Sequence, residues 1–168
     1  MSRRCGLLVL LLVCSASLAR AHVVSPLTGR MRPARVVVGT YNLRGINPAG
    51  VSRLNNNCLK AAIATDLNAK GIPAIALPQV LPSSNLELAA LYGMPRYLRT
   101  GLEVAVVAHL EGPGYMGIIT ADVAGQPGLG HAFNVQNIAG RVAFIDGQLG
   151  SEVTDLSRYF NFHLFDTR

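Results

Sequence analysis

The spacing of apolar residues predicts two helices in the first half of the chain. Apolar side chains recur at helical intervals from 59 to 70, among residues that favour helices. Asn56 or Asn57 can cap this first helix, and Gly71 is suited to end it. A second, shorter helix is predicted over 85–92 (NLELAALY). The first helix therefore begins directly behind a run of asparagines.

The second half of the chain predicts strands separated by tight turns. The turn over 112–114 (GPG) separates the first two strands. Because helices precede a run of antiparallel strands, we expect an α+β fold. Alternating, β-branched or aromatic residues mark the strand segments, which are 102–109, 115–120, 131–136, 141–146 and 157–165.

The N-terminal residues have the features of a secretory signal peptide. Two arginines precede an apolar run, and the segment ends in Ala19-Arg20-Ala21, so cleavage is expected after Ala21. The apolar run is too short for a stable membrane anchor. Residues 22–45 are predicted to be a flexible lead-in with a short strand at 36–38, and the chain stays loop-like to residue 57. Residues 46–168 are then expected to form the folded domain of a secreted protein, periplasmic or extracellular.

Composition and charge fit a single globular domain and argue against binding to nucleic acid. The chain has 168 residues, of which 50% are hydrophobic and 14% charged. Removal of residues 1–21 takes away three of the 15 basic residues and leaves 12 against nine acidic ones, a net charge of +3. No basic run interleaved with aromatic residues remains, so no nucleic-acid partner is expected.

Cys58 is the one cysteine outside the signal peptide, and it lies at the start of the first predicted helix. The helix dipole and the exposed backbone N–H groups at that end favour the thiolate, which is the nucleophilic form. A free cysteine is also commonly a small buried apolar residue. Its position alone leaves both interpretations open.

The segment 130–150 (GHAFNVQNIAGRVAFIDGQLG) predicts a hairpin that brings a histidine and an aspartate together. If its turn is centred on residues 138 and 139, His131 faces Asp146 and Phe133 faces Phe144, with Cβ atoms about 5 Å apart. The face carrying these residues is otherwise apolar. We therefore expect the helix bearing Cys58 to pack against it. A slip of one residue in register would turn Asp146 to the other face.

Other residues offer alternatives for the site. His109 and His163 could act as the base, but each lies in a predicted ordinary strand with no acid opposite. Asp66 is expected to be structural, and the turn over 112–114 could line the cleft. Gln148 is either a loop residue or a group that contacts substrate. The scattered histidines and the single cysteine have no metal-ligand spacing, so neither a metal nor another cofactor is expected.

A cysteine, a histidine and an aspartate of this kind can perform nucleophilic catalysis. The Cys58 thiolate attacks a carbonyl carbon, His131 transfers the proton, and Asp146 orients the imidazole. An oxyanion requires donors close to the thiol. The candidates are the backbone N–H of Cys58 and a side-chain amide of Asn55, Asn56 or Asn57.

These segments resemble the papain-fold toxin family, whose members are predicted protein glutamine deamidases of bacterial polymorphic toxins and effectors. Five pieces occur in the family order across most of the mature chain. They are INPAG (46–50), NCLKAAIATDLNAKGIPAIALP (57–78), GPGYMGII (112–119), GHAFNVQN (130–137) and FIDGQLG (144–150). The resemblance implies a papain-like cysteine hydrolase fold, with a catalytic helix packed on an antiparallel sheet, and it assigns catalysis to Cys58, His131 and Asp146.

The resemblance also implies the substrate. It selects a glutamine side chain of a target protein and a thioester intermediate, and it allows for an immunity protein as a further partner. The triad alone fits a papain-like peptidase or a transglutaminase equally well. An alternative from another class is a secreted binding or inhibitor domain that keeps the fold without catalysis.

Overall fold

The computed structural model describes residues 43–48 and 56–168. The predicted signal peptide, most of the predicted lead-in and the strand predicted at 36–38 lie outside the described residues. The helices are α1 (Leu43–Ile46), α2 (Cys58–Ala69), α3 (Asn85–Tyr92) and α4 (Gly101–Leu110). The strands are β1 (Arg96–Leu98), β2 (Met116–Val123), β3 (Gly130–Ile138), β4 (Arg141–Asp146), β5 (Ser151–Glu152) and β6 (Tyr159–Asp166).

The strands form one sheet in the order β1-β6-β2-β3-β4-β5, and every neighbouring pair is antiparallel. The α+β class predicted from the sequence is confirmed. The helices predicted at 59–70 and 85–92 are confirmed as α2 and α3. Strand β3 lies inside the sheet, which places the residues at its beginning between the ends of β2 and β4.

Helices cover both faces of the sheet. On one face, Leu59 and Ala62 of α2 and Leu88 of α3 pack against residues that include Ile118 and Ala132. On the other face, Val104 and Ala108 of α4 pack against a second set of buried side chains. That set consists of Tyr115, Ile119, Ala121, Phe133, Val135, Phe162 and Leu164.

The prediction of a strand at 102–109 is wrong, because this segment forms α4. A variant of the capping box begins the helix: the Thr100 hydroxyl accepts a hydrogen bond from the Glu103 backbone N–H, and the Glu103 carboxylate accepts one from the N–H of Arg99, the residue before the cap. Val104 and Ala108, four residues apart, then face the sheet. The valines of this segment suggested a strand, but the T-x-x-E pattern in front of them indicates a helix.

The segment predicted as a loop up to residue 57 contains the short helix α1. Ile46 at its end is 2% exposed and packs with alanines on the far side of α2 and in the segment after it. The half-buried Leu43 packs against the same cluster, so both apolar side chains hold α1 against the domain. None of the helices in the described part of the chain is both long enough and apolar enough to cross a bilayer.

Candidate active site

Cys58 is the first residue of α2, at the end of the helix where backbone N–H groups have no partner within the helix. Its side chain is half-buried, whereas the next residue, Leu59, is buried against the sheet. Packing of Leu59 and Ala62 thus holds the helix on the sheet and leaves the thiol at the border of the core. This position gives the thiol both a fixed location and access from outside.

His131 and Asp146 form a hydrogen-bonded pair. His131 Nε2 lies 2.7 Å from Asp146 Oδ2, and the aspartate is completely buried. Asp146 Oδ1 accepts hydrogen bonds from the backbone N–H groups of Gln148 (2.8 Å) and Leu149 (3.0 Å). The carboxylate is therefore held by the turn that follows it, and it presents its other oxygen to the imidazole.

The hairpin brings this pair together in a register that differs from the predicted one. Strand β3 pairs with β4 from Asn134↔Ile145 to Ile138↔Arg141, so His131 does not directly face Asp146. The turn is centred on Ala139 and Gly140, whose φ angles of 51° and 96° suit a two-residue turn of type I′. The register is shifted by two residues from the prediction. Because side chains alternate with a period of two, the histidine and the aspartate remain on the same face.

The imidazole of His131 also interacts with Cys58. Burial is the largest single influence and lowers the pKa of His131, but hydrogen bonds to Asp146 and Cys58, together with electrostatic interactions with both residues, raise it to about 9. Because Asp146 binds Nε2, Nδ1 is the nitrogen left for the thiol. The three residues predicted to form the triad therefore meet in the structure.

The helix bearing Cys58 does not pack on the predicted face of the hairpin. Phe133 and Val135, which share a face with His131, are covered by α4, whereas α2 packs on the opposite face. There the buried Asn134 donates from Nδ2 to the Ala62 carbonyl oxygen at 3.0 Å. This hydrogen bond joins the middle of the sheet to the backbone of α2.

Cys58 and His131 meet at an end of the sheet. The paired part of β3 and β4 stops at Asn134↔Ile145, three residues short of His131, and β4 itself ends at Asp146. The chain then passes close to α2 at Gly147, where an added Cβ would lie 2.8 Å from the Ala61 carbonyl oxygen. Close approach at Gly147 thus brings the aspartate of the sheet next to the helix of the thiol. Its place in the FIDGQLG motif is the only sequence signal for this role.

Asn57 serves a different purpose from the one predicted. It is completely buried, and its Nδ2 donates to Asn47 Oδ1 (3.0 Å) and to the Leu77 carbonyl oxygen (3.1 Å). Both amide hydrogens are therefore engaged, and the side chain is not placed to donate to an oxyanion. Its Oδ1 accepts from Gln148 Nε2 at 3.1 Å. Asn57 thus ties the residue before Cys58 to the turn that holds Asp146.

Gln148 and Asn56 both hold loops around the thiol. The Gln148 backbone carbonyl accepts from Asn47 Nδ2 at 3.0 Å, in addition to the contact of its side chain with Asn57. Asn56 is exposed, and its Nδ2 donates to the Val80 carbonyl oxygen at 2.6 Å. A direct role of either residue toward substrate stays a prediction. The backbone N–H of Cys58 stays the candidate donor for an oxyanion.

The alternative residues lie elsewhere. His109 is exposed on α4, and His163 is bonded to Asn85 (3.0 Å), so neither has a carboxylate partner among the described residues. Asp66 binds Lys70 and Thr167 in a buried cluster, as its structural interpretation predicts. The turn over 112–114 does not line the cleft: it precedes Met116, which pairs with Gln136 at the opposite end of β2 and β3 from His131.

No group of three or more His, Cys, Asp or Glu side chains suited to a metal ion occurs within residues 43–48 and 56–168.

Tyr159 is a neighbour of the site that sequence analysis did not single out. Its ring stacks on His131, with centroids 5.9 Å apart. The tyrosine lies in an aromatic segment that indicated only a strand, so no local signal pointed to this contact.

Comparison with known proteins identifies a family and a similar fold. The sequence model described as "Papain fold toxin 1, glutamine deamidase" matches residues 56–151, more than half of the chain and the part that contains Cys58, His131 and Asp146. Among solved structures, the Salmonella effector SpvD (G161 variant) is similar in fold, with a TM-score of 0.53 and 18% identity over 75% of each chain. No curated protein sequence matches. The chain belongs to the papain-fold toxin family of glutamine deamidases.

Proposed function

We propose that this protein is a secreted cysteine amidohydrolase that converts a glutamine side chain of a target protein into glutamate. The observation that carries the proposal is the position of the His131 imidazole between Asp146 and Cys58. Membership of a glutamine deamidase family supports glutamine as the substrate, because the triad by itself does not select one amide over another. A toxin or effector family supports a protein as the target.

The reaction proceeds in two halves. The Cys58 thiolate attacks the side-chain amide carbon, and the oxyanion that forms accepts a hydrogen bond from the Cys58 backbone N–H. The His131 imidazolium gives its proton to the nitrogen, the C–N bond breaks, and ammonia leaves a thioester. His131 then draws a proton from water, which attacks the thioester and releases glutamate and the thiol.

Asp146 maintains the direction of proton transfer in this scheme. Its Oδ2 accepts the hydrogen of His131 Nε2, so Nδ1 carries the exchanged proton toward the thiol. The pKa of His131, raised to about 9, keeps the imidazole protonated at neutral pH. A proton is therefore available for the leaving ammonia at the start of the reaction.

Release of ammonia from a glutamine-rich protein substrate tests this proposal. We expect release by the wild-type protein and by His109→Ala, which changes an exposed histidine away from the site, but not by Cys58→Ala. Mass spectrometry of the substrate distinguishes conversion of amide to acid from cleavage of the backbone and from cross-linking. Ammonia release that persists in Cys58→Ala would contradict the proposal.

Two other outcomes would assign a different function. Peptide fragments in place of deamidated protein would favour a papain-like peptidase, and cross-linked products would favour a transglutaminase. A folded protein that releases no ammonia, and whose Cys58 reacts slowly with iodoacetamide, would favour a binding or inhibitor domain.

A further inference from the structure

The ring of Tyr159 lies against the imidazole of His131, although the proposed chemistry does not use it. The two ring centroids are 5.9 Å apart and the ring planes are inclined by only 17°. Tyr159 also contacts Phe133, with centroids 5.1 Å apart, and it is half-buried at the start of β6. The imidazole is thus held by Asp146 at its edge and covered by an aromatic ring on its face.

A β-bulge determines which residue of β6 reaches the histidine. Between the pairs Thr120↔His163 and Asp122↔Phe160, strand β2 advances two residues while β6 advances three. Asn161 lies in this interval with a φ of 51°, and its Nδ2 donates to Asp122 Oδ2 at 2.9 Å. A bulge of this kind shifts the alternation of side chains and re-aims those beyond it.

The alternation on either side of the bulge shows its effect. Phe162 and Leu164 point to the face covered by α4, so an unbroken strand would place Phe160 on that face. Instead Tyr159 packs there, beside Phe133, while Phe160 remains 45% exposed. The extra residue at Asn161 therefore puts Tyr159 on the same face as His131.

We infer that Tyr159 is a positioning residue for His131, presented by the bulge at Asn161. The flat ring restricts rotation of the imidazole about its side-chain bonds, and the bond to Asp146 fixes its remaining freedom. Together they keep Nδ1 directed at the Cys58 thiol. A misplacement of about 1 Å can reduce the rate of a reaction by about 10²-fold, so a contact of this kind has a measurable effect. The inference rests on the proposed role of His131 as partner of Cys58.

Replacement of the ring tests the inference in the full chain. Tyr159→Phe keeps the stacked ring, whereas Tyr159→Leu keeps an apolar side chain without a ring. We expect Tyr159→Leu to slow alkylation of Cys58 by iodoacetamide about tenfold, and to lower kcat for ammonia release with little change in KM. It should also remove the ring-current shift of the His131 ring protons in NMR spectra. Tyr159→Phe should retain the wild-type values of all four quantities.

Two results would overturn the inference: alkylation at the wild-type rate in Tyr159→Leu, or a rate in Tyr159→Phe as low as that in Tyr159→Leu. Alkylation and NMR need no protein substrate, so absence of ammonia release would count against the proposed function while leaving this test intact. Similar thermal stability of the two variants excludes a loss of fold as the cause.

The bulge can be tested separately at the exposed Asp122. Asp122→Ala removes the acceptor for the Asn161 amide, and we expect a smaller change of the His131 ring signals in the same direction as in Tyr159→Leu. Glu152→Ala is the control, since it removes an exposed carboxylate that pairs with Arg141 in the hairpin. Unchanged ring signals in Asp122→Ala would overturn the role of the bulge.

Discussion

The two carboxylate oxygens of Asp146 have separate partners, and this separation explains how the residue acts. Oδ1 accepts hydrogen bonds from two backbone N–H groups of the turn, while Oδ2 accepts one from His131 Nε2. An asparagine at this position can keep its oxygen on the turn. Its amide nitrogen would then face His131 Nε2, which would force the ring proton onto Nδ1, the nitrogen that serves the thiol. The substitution therefore changes the chemistry without changing the shape of the turn.

We expect Asp146→Asn to fold normally and to lose roughly 10²–10⁴-fold in turnover. The hydrogen bond and the charge of Asp146 both raise the pKa of His131, so their loss lowers it. In the wild type, the rate should fall as pH rises through about 9, where the imidazolium loses its proton. In Asp146→Asn this decline should occur at lower pH.

The pH dependence of kcat/KM measures this shift, because turnover requires the imidazolium proton, whereas alkylation of the thiolate does not. Glu111→Gln is a matched control, because Glu111 is likewise a carboxylate with cationic partners, here two arginines, but it lies before the turn at 112–114, at the other end of the sheet. An alkaline decline at the same pH in Asp146→Asn and wild type would show that another acid orients His131.

At the scale of elements, the junction between β4 and α2 sets the distance between acid and thiol. Gly147 directly follows Asp146, and it approaches the backbone of α2 near Ala61 and the side chain of Thr65. Thr65 is itself buried and donates to the Ala61 carbonyl oxygen at 2.8 Å, so this part of the helix cannot readily yield. A side chain at 147 would separate the two elements.

We expect Gly147→Ala to lower the free energy of unfolding by about 1–3 kcal/mol, as overpacking does in other cores. It should also slow alkylation of Cys58, because α2 moves away from the turn that holds Asp146. Gly130→Ala is the control: an added Cβ there meets the Ala121 carbonyl oxygen at 3.6 Å, an ordinary contact. Denaturant unfolding and alkylation rates of both variants measure these effects, and wild-type values for Gly147→Ala would show that the junction is not tightly packed.

At the scale of the whole molecule, the proposed function includes export. The arginines at 3 and 4, the apolar run and the small residues before His22 are the basis of this proposal. Expressed in a bacterium with a general secretory pathway, the protein should leave the cytoplasm and begin at His22. N-terminal sequencing of the exported fraction measures the cleavage site. Leu11→Arg, which interrupts the apolar run, should block export. Wild-type protein that stays in the cytoplasm with its N-terminus uncleaved would contradict the proposal.

Part of the fold could be predicted because its signals are local. The periodicity that predicts α2 and the turn residues that predict the β3–β4 hairpin lie within single segments of the chain. The capping box before α4 was an equally local signal, but the β-branched residues of 102–109 obscured it. The edge strands β1 and β5, of three and two residues, have too little pattern to be recognised.

The sequence by itself determined that Cys58 begins a helix and that His131 and Asp146 share a face of one hairpin, because both properties follow from periods of 3.6 and 2.0 residues. Only the tertiary structure decided which face of the sheet that helix covers and which polar side chains are buried. Asn134 and Asn57 are polar residues, yet both are buried, and their amide nitrogens donate to distant backbone carbonyls inside the domain. A hydrogen-bond partner far away in the chain leaves no mark on the local pattern, and for this reason the positioning of the site becomes visible only in the folded molecule.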